Sequence, residues 1–216
     1  AELKVLIMQI NPHFLYNTLE VISGIADEEG VEQISDITQS LSKMLRYSIG
    51  LDRELVTVEE ELEHCKHYLL ILKSRFGDEL QIECHFDPAT YPCLMMKMTL
   101  QPLIENAIRH GIESKLGQGK LGIRVERNGD MVEIDIEDNG VGFDEQKLHE
   151  LRAFMADVAN SFNWTTTSTH LGLKNVYTRL SLLFGERLDF RIDSVKGEGT
   201  TIRIRFPAIT NKQRSG

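Results

Sequence analysis

The residues best suited to chemistry gather in four short segments in the second half of the chain. The first is Pro102-Leu-Ile-Glu105-Asn106-Ala-Ile-Arg109-His110-Gly111. Its apolar spacing predicts a helix from about Thr99 to Arg109, which puts Asn106 on one face with Arg109 or His110, three and four residues on. An amide oxygen beside two nitrogen donors suits a magnesium-bound triphosphate: the hard oxygen takes the metal and the donors take phosphate oxygens. The second segment, Asp138-Asn139-Gly140-Val141-Gly142-Phe143, directly follows a strand pattern. A carboxylate at a strand end can accept from the exocyclic amine of a base, and spaced glycines let backbone approach a ligand closely. The third, Leu171-Gly172-Leu173-Lys174-Asn175, opens a helix, whose free N–H groups favour phosphate. The fourth, Gly197-Glu198-Gly199-Thr200, enters the last strand. Taken singly, the first is also an ordinary amphipathic helix with a solvated face, and the second an ordinary Asn-Gly turn. Their order, on helix, strand end, helix start and strand, is what makes the set specific.

A different chemistry sits near the start, in Gln9-Ile-Asn-Pro-His13-Phe-Leu-Tyr-Asn17-Thr-Leu. Neutral imidazole is a nucleophile at pH 7. A lone histidine near a helix start is more commonly a surface or capping residue, and six others occur in the chain. Asn17 follows four residues later and shares its helical face.

The elements that must position these residues follow from periodicity. Leu3, Leu6, Ile7 and Ile10 form one helical face up to Asn11-Pro12, where a kink or a fresh helix start is expected. From Pro12 to Ala26 the stripe is Leu15, Leu19, Ile22 and Ala26 or Ile25. After a break at Asp27–Gly30 it becomes Ile34, Ile37, Leu41, Met44 and Ser48. A third helix opens at Thr57, where Glu60 completes a capping box, and carries Val58, Leu62, Cys65, Leu69, Leu72 and Phe76. Gly77 ends it. Seams this regular predict a helical bundle shared between two chains. Beyond Gly77 the period falls to two. Strands are expected at Leu80–Phe86, Ile123–Arg127, Met131–Glu137, Leu188–Ile192 and Ile202–Phe206, with Asn128-Gly129 as a hairpin turn. Helices are expected around Leu148–Val158 and Leu173–Leu183, and a polar, threonine-rich stretch at Ala159–Thr169. The fold class is therefore α+β: a helical region over 1–78, then a two-layer α/β sandwich over 79–210.

Composition removes several function classes. A net charge of −9 lacks the basic footprint of a nucleic-acid binder, so no nucleic-acid partner is expected. Cys65, Cys84 and Cys93 are odd in number and lack C-x-x-C spacing, which favours neither disulfides nor zinc; Cys65 and Cys84 read as small core residues. No apolar stretch reaches the roughly 20 residues that span a bilayer. The opening helix has no N-cap, so Ala1 is expected to lie partway along a longer polypeptide.

Together the segments resemble the GHKL ATP-binding domains, in their histidine-kinase branch. Pro102–Gly111 is similar to the N box, Asp138–Phe143 to the first glycine box, Leu171–Asn175 to the second, and Gly197–Thr200 to the closing G-x-G-T. Gln9–Leu19 resembles the phosphoacceptor motif of the autolysin-sensor (LytS-like) kinases, and Leu45-Arg46-Tyr47 and Arg75-Phe76 fit that group. The resemblance implies ATP and Mg²⁺ as cofactors. Asn106 would hold the metal, Arg109 and His110 would touch phosphates, and Asp138 would bond the adenine amine with Thr200 nearby. Gly140, Gly142, Gly172 and Leu173 would line the pocket, with Glu105 a further catalytic candidate, and residues 144–170 would form a lid. His13 would take the γ-phosphoryl group and pass it to a response regulator. The amide of Asn17 stands where other histidine kinases orient a water to dephosphorylate that regulator. A homodimer follows, in the cytoplasmic portion of a bacterial protein whose membrane attachment lies in a sensor region before Ala1. Two departures stand out: His170 occupies a usual glycine position of the second glycine box, and Phe14 rather than an acid follows His13. The alternatives are a GHKL ATPase, opposed by Pro102 where such enzymes carry a water-activating glutamate, and a non-catalytic nucleotide-binding dimeric scaffold.

Overall fold

The computed structural model describes residues 12–50, 53–160 and 171–211. The expected helix Leu3–Ile10, residues 161–170 of the expected lid, and His170 lie outside these residues. The chain divides into two compact units, Ala1–Arg53 with Leu62–Gly77 and Glu54–Glu61 with Asp78–Gly216.

In the helical unit, α1 (Pro12–Glu28) and α2 (Glu32–Ile49) form an antiparallel hairpin. Proline stands at the first position of α1, where its missing N–H costs nothing. Gly30, at φ +68, makes the turn, and the Val31 N–H closes it on the Ala26 carbonyl at 2.8 Å. Apart from Ala26 and Met44, the hairpin's buried residues are small and polar. Ser23 and Ser35 bond at 3.0 Å, and the Gln39 amide donates to both hydroxyls. Part of the expected apolar stripe faces outward instead: Ile22, Ile25, Ile34 and Leu41 are exposed, as is Val21 beside them, while Ala26 and Met44 of the stripe are buried. The third helix, α3 (Val58–Phe76), begins with the expected box. The Thr57 N–H donates to Glu60 Oε2 at 2.7 Å, and the Glu60 N–H donates to Thr57 Oγ1 at 3.2 Å. Its stripe of Val58, Leu62, Cys65, Leu69 and Leu72 is buried, and the ring of His64 stacks on Tyr47 at 4.3 Å.

The sheet unit is a five-stranded sheet under a layer of helices. Its strands are β2 (Leu80–Phe86), β4 (Gly119–Asn128), β5 (Met131–Asp138), β6 (Asp189–Val195) and β7 (Gly199–Pro207), in the spatial order β2-β4-β5-β7-β6. Only the β2–β4 pair is parallel. A short ribbon of β1 (Leu55–Thr57) and β3 (Leu94–Met96) completes the strands; the sequence pattern missed it because three-residue strands are too short for a period to register. Ile134, Ile136, Ile202, Ile204 and Phe206 alternate inward, beneath α4 (Leu100–Asn106), α5 (Glu145–Asn160) and α6 (Leu171–Phe184). Phe184 of α6 stacks on Phe206 at 4.8 Å. Each such side chain removed from water contributes about 1.5–3 kcal/mol. The opposite face carries charge, as where Arg203 pairs with Asp135 at 2.8 Å.

Two expectations are corrected. Cys84 is exposed rather than a core residue, because β2 is an edge strand and its burial pattern fades beyond Ile82; Cys65 and Cys93 are buried. The helix expected from Thr99 to Arg109 is α-helical only to Asn106, then widens into a π turn over Ala107–Ile112, closed where the Glu113 N–H donates to the Ile108 carbonyl at 2.8 Å.

Candidate functional site

Asp138 closes β5 in phase with the core residues Val132, Ile134 and Ile136, so the strand's alternation carries a carboxylate onto the helix-covered face. Leu121 of β4 and Thr200 of β7 flank it in register, and all three are buried. Asp138 Oδ1 accepts from the Gly140 N–H at 2.8 Å, and the Thr200 N–H also donates to the carboxylate. Burial outweighs both bonds and pushes the carboxyl from 3.8 up to about 6. An acceptor so poorly solvated favours a ligand donor that replaces its missing water. The Thr200 hydroxyl bonds Ser194 Oγ at 3.0 Å, and Ser194 Oγ takes the Phe143 N–H at 2.8 Å, so β6, β7 and the loop after β5 meet beside Asp138.

The glycines do more than clear space for a ligand. Gly111, inside the π turn, lies where a Cβ would stand 2.6 Å from Asp138 Oδ1. A Cβ on Gly140 would overlap the Gly111 backbone, and the Val141 N–H donates to the Gly111 carbonyl at 3.0 Å. The loop after β5 and the end of the Asn106 helix are thus clamped backbone to backbone, which only glycine permits. Gly142, at φ +65, approaches Val195, and the Gly197 N–H donates to the Val141 carbonyl at 2.7 Å. A Cβ added at Gly172 would have ordinary clearance, 3.8 Å from Pro102 Cβ. The segments that stand apart in sequence therefore converge on one site.

The π turn changes which side chains share a face. Ala107, Ile108, Gly111 and Ile112 are buried while Arg109 and His110 are exposed. A π turn closes residue i on i+5, so Asn106, Arg109 and His110 do not keep the α-helical spacing expected of them. Asn106 is half-buried at the junction, and Glu105 accepts from the Gln101 amide at 2.7 Å. Leu173 is buried, so its side chain belongs to the core. At the far edge, Lys115 Nζ donates to the Asn139 carbonyl at 2.5 Å, and Asn139 Oδ1 takes the Lys120 N–H at 2.7 Å.

One residue that positions this site escaped the motif reading. Glu61, in the first turn of α3, is wholly buried. Its carboxylate accepts from the N–H groups of Met98 at 2.9 Å, Thr99 at 2.7 Å and Leu100 at 2.9 Å, capping the helix that ends in Asn106. Met98 adopts φ +58, costly for a residue with a side chain, to turn its N–H to this acceptor. The available signal was a glutamate three residues after Val58 and four before Cys65, on the apolar stripe.

In the helical unit, His13 and Asn17 are exposed on the first turns of α1, with Asn17 Nδ2 3.3 Å from His13 Nδ1. Among the described residues no cluster of histidine, cysteine and carboxylate side chains could hold a metal ion by itself. An ion at Asn106 would thus need its remaining ligands from phosphate and water.

Comparison with known proteins agrees in both units. Residues 94–210 match the family described as "Histidine kinase-, DNA gyrase B-, and HSP90-like ATPase", and residues 1–80 match "Histidine kinase". The chain is similar to the sensor histidine kinase YesM of Bacillus subtilis, 38% identical over 96% of this chain and 33% of that protein. It is also similar to the sensor histidine kinase YpdA of Escherichia coli, 36% identical over 88% of this chain and 32% of that protein. The chain therefore spans about a third of the length of these curated relatives. The catalytic domain of the histidine kinase ThkA shares the fold, with a TM-score of 0.50 at 15% identity over 72% of this chain and 99% of that one.

Proposed function

We propose, for a chain that belongs to the histidine kinase-, DNA gyrase B- and HSP90-like ATPase family, that it is the catalytic part of a two-component sensor histidine kinase. ATP binds in the sheet unit, His13 takes the γ-phosphoryl group, and an aspartate of a response regulator receives it in turn. The observation that carries the reading is the buried Asp138 carboxylate, in register with Thr200 and locked through Gly111 and Gly140 to the helix bearing Asn106.

In this reading Asp138 accepts from the adenine amine, and Thr200 holds the neighbouring strand in place. Asn106 offers its amide oxygen to Mg²⁺, which when bound neutralises triphosphate charge and orients the transferring group. Arg109 and His110 reach the phosphates from the solvent side of the π turn. Gly140, Gly142 and Gly172, with the backbone around Leu173, line the pocket, and Glu105 is retained as a candidate catalytic carboxylate. We assign residues 1–78 to dimerisation and phosphate acceptance and 79–210 to ATP binding. The outward apolar face of the α1–α2 hairpin supports a homodimer, since a second copy of the same face would cover it. Asn17 is kept as the residue that orients water for dephosphorylating the regulator. No described helix is long and apolar enough to cross a membrane; membrane attachment is assigned to a sensor region outside these residues.

Incubation with radiolabelled ATP tests the reading. The wild-type chain should acquire protein-bound label that is lost in acid and kept in base, as a phosphoramidate is. His13→Gln should abolish the label and preserve nucleotide binding. Acid-stable label, or label surviving the substitution, would move the acceptor elsewhere. Free phosphate without bound label would favour the ATPase, a reading that Pro102 already opposes by leaving no carboxylate four residues before Asn106. Neither product would favour a nucleotide-binding scaffold.

A further inference from the structure

We propose that Ser194 is a positioning residue for base selection: by taking the proton of the Thr200 hydroxyl it leaves Thr200, like Asp138, facing the ligand as an acceptor, so the site selects a 6-amino purine over a 6-oxo purine. The inference rests on the reading of Asp138 as the adenine acceptor and adds a residue, on a third strand, that decides what Thr200 can offer.

The strand register places these side chains in one row. Asp138 of β5 stands opposite Thr200 of β7, and Thr200 stands opposite Ser194 of β6. Directly opposed residues of antiparallel strands present their side chains on the same face of the sheet, so all three lie on the helix-covered face, where the loop after β5 begins. Thr200 is buried beside Asp138, and Ser194 stands behind it on the edge strand.

A hydroxyl has one proton and two lone pairs, and Ser194 uses all three. Its oxygen accepts from the Phe143 N–H at 2.8 Å. Its proton goes to the Gly199 carbonyl at 2.9 Å, because a carbonyl oxygen can only accept. The contact with Thr200 Oγ1 at 3.0 Å is left with one pattern: Thr200 donates and Ser194 accepts. The carbonyl that claims the Ser194 proton is fixed in place. Gly199 adopts φ +130, and a Cβ there would overlap the Asp138 carbonyl.

With its proton spent, Thr200 Oγ1 has only lone pairs to offer a ligand. The ionised Asp138 carboxylate likewise only accepts, and it already takes the Gly140 and Thr200 N–H groups. Two neighbouring acceptors suit a purine edge that carries an amine with two N–H donors. A 6-oxo purine sets a carbonyl oxygen against them instead. An oxygen that faces only acceptors in a buried site goes unpaired, so rejection of the wrong base adds to attraction for the right one. Without Ser194 the Thr200 hydroxyl is free to turn and donate to a 6-oxo group. The selectivity is thus held one residue behind the groups that touch the ligand.

The test is calorimetry of the 216-residue chain with ATP and with ITP, in which a carbonyl replaces the 6-amine and N1 gains a proton, at a pH where Asp138 is ionised. Wild type should bind ATP more tightly. Ser194→Ala should lower the ATP-to-ITP affinity ratio roughly three- to tenfold, the factor one hydrogen bond is worth. Ser194→Thr, which keeps the hydroxyl, should hold the wild-type ratio. Thr200→Val leaves Ser194 in place and should lower the ratio by a similar factor, and adding Ser194→Ala to it should move the ratio no further. A purely structural role for Ser194 would weaken both nucleotides together and leave the ratio alone. That result, equal affinity of wild type for the two nucleotides, or additive ratio changes in the double variant would each overturn the proposal. A wild-type chain that binds neither nucleotide would remove the ATP-site reading and this proposal with it, whereas binding with an unmoved ratio removes the role of Ser194 alone.

Discussion

Asp138 combines two demands that pull against each other. Its burial favours the protonated form, yet an amine donor needs the ionised one. The raised value fixes the direction of both pH effects. For folding, the proton is held more tightly in the native state, so the stabilisation is fully present below 3.8 and lost as pH rises through about 6. For binding the sign reverses: ATP affinity should fall as pH drops below about 6, by up to about tenfold per unit. Calorimetry between pH 5 and 8 checks this, and Asp138→Asn should flatten the profile. Asp138→Ala should weaken binding by about one to two decades, the roughly 1.5–3 kcal/mol of a hydrogen bond to a charged group; unchanged affinity would remove the adenine assignment. Asn106→Ala should leave metal-free binding nearly intact while abolishing both the Mg²⁺ dependence of affinity and phosphotransfer. Titrations with and without EDTA separate the two.

At the scale of elements, the Asn106 helix is held by a side-chain cap at one end and a backbone clamp at the other rather than by its own propensity. Seven α residues are too few to be stable alone. Glu61 closes the N-terminal end through three N–H groups, and the glycine clamp with the loop after β5 closes the other. Glu61→Gln should be costly although it conserves shape. One amide oxygen can serve Thr99 and Leu100, but the amide NH₂ would then face the Met98 N–H, donor against donor, at a residue already held at φ +58. The expected loss is about 1–3 kcal/mol in urea unfolding, the cost of one unsatisfied buried donor. A variant as stable as wild type would show that α4 does not depend on this cap.

For the whole molecule, the α1–α2 hairpin inverts the usual order of a helical pair. Its inner face is Ser23, Ser35, Thr38 and Ser42, and its outer face is Val21, Ile22, Ile25 and Ile34. Small polar residues let two helices approach closely, and the apolar area left outside is what a second copy would bury. Sedimentation at micromolar concentration should give a dimer, and Ile25→Glu should shift it toward monomer while the circular dichroism of the sheet unit persists. A wild-type chain that sediments only as monomer would count against the assembly.

Sequence alone determined the elements with a strong period and the residues with unusual chemistry. The five sheet strands, the capping box at Thr57 and the Asn128-Gly129 hairpin depend on local spacing and turn geometry, which act within a few residues. The order of the four glycine-bearing segments was likewise legible. The tertiary structure decided what depends on contacts distant in sequence. Gly111 belongs to the site because it meets Asp138 and Gly140, and no local pattern encodes that meeting. Glu61 is one of three acidic residues in a helix's first turn, and only the fold brings Met98, Thr99 and Leu100 to it from nearly forty positions away. The apolar stripes of α1 and α2 gave the same period whichever way they faced; only the packed hairpin, with Ser23 against Ser35, shows which of their residues stay outside. The π turn after Asn106 is of this kind too. Nothing in Ala107–Ile112 demands it, and it coincides with the close approach of the loop after β5 to Gly111.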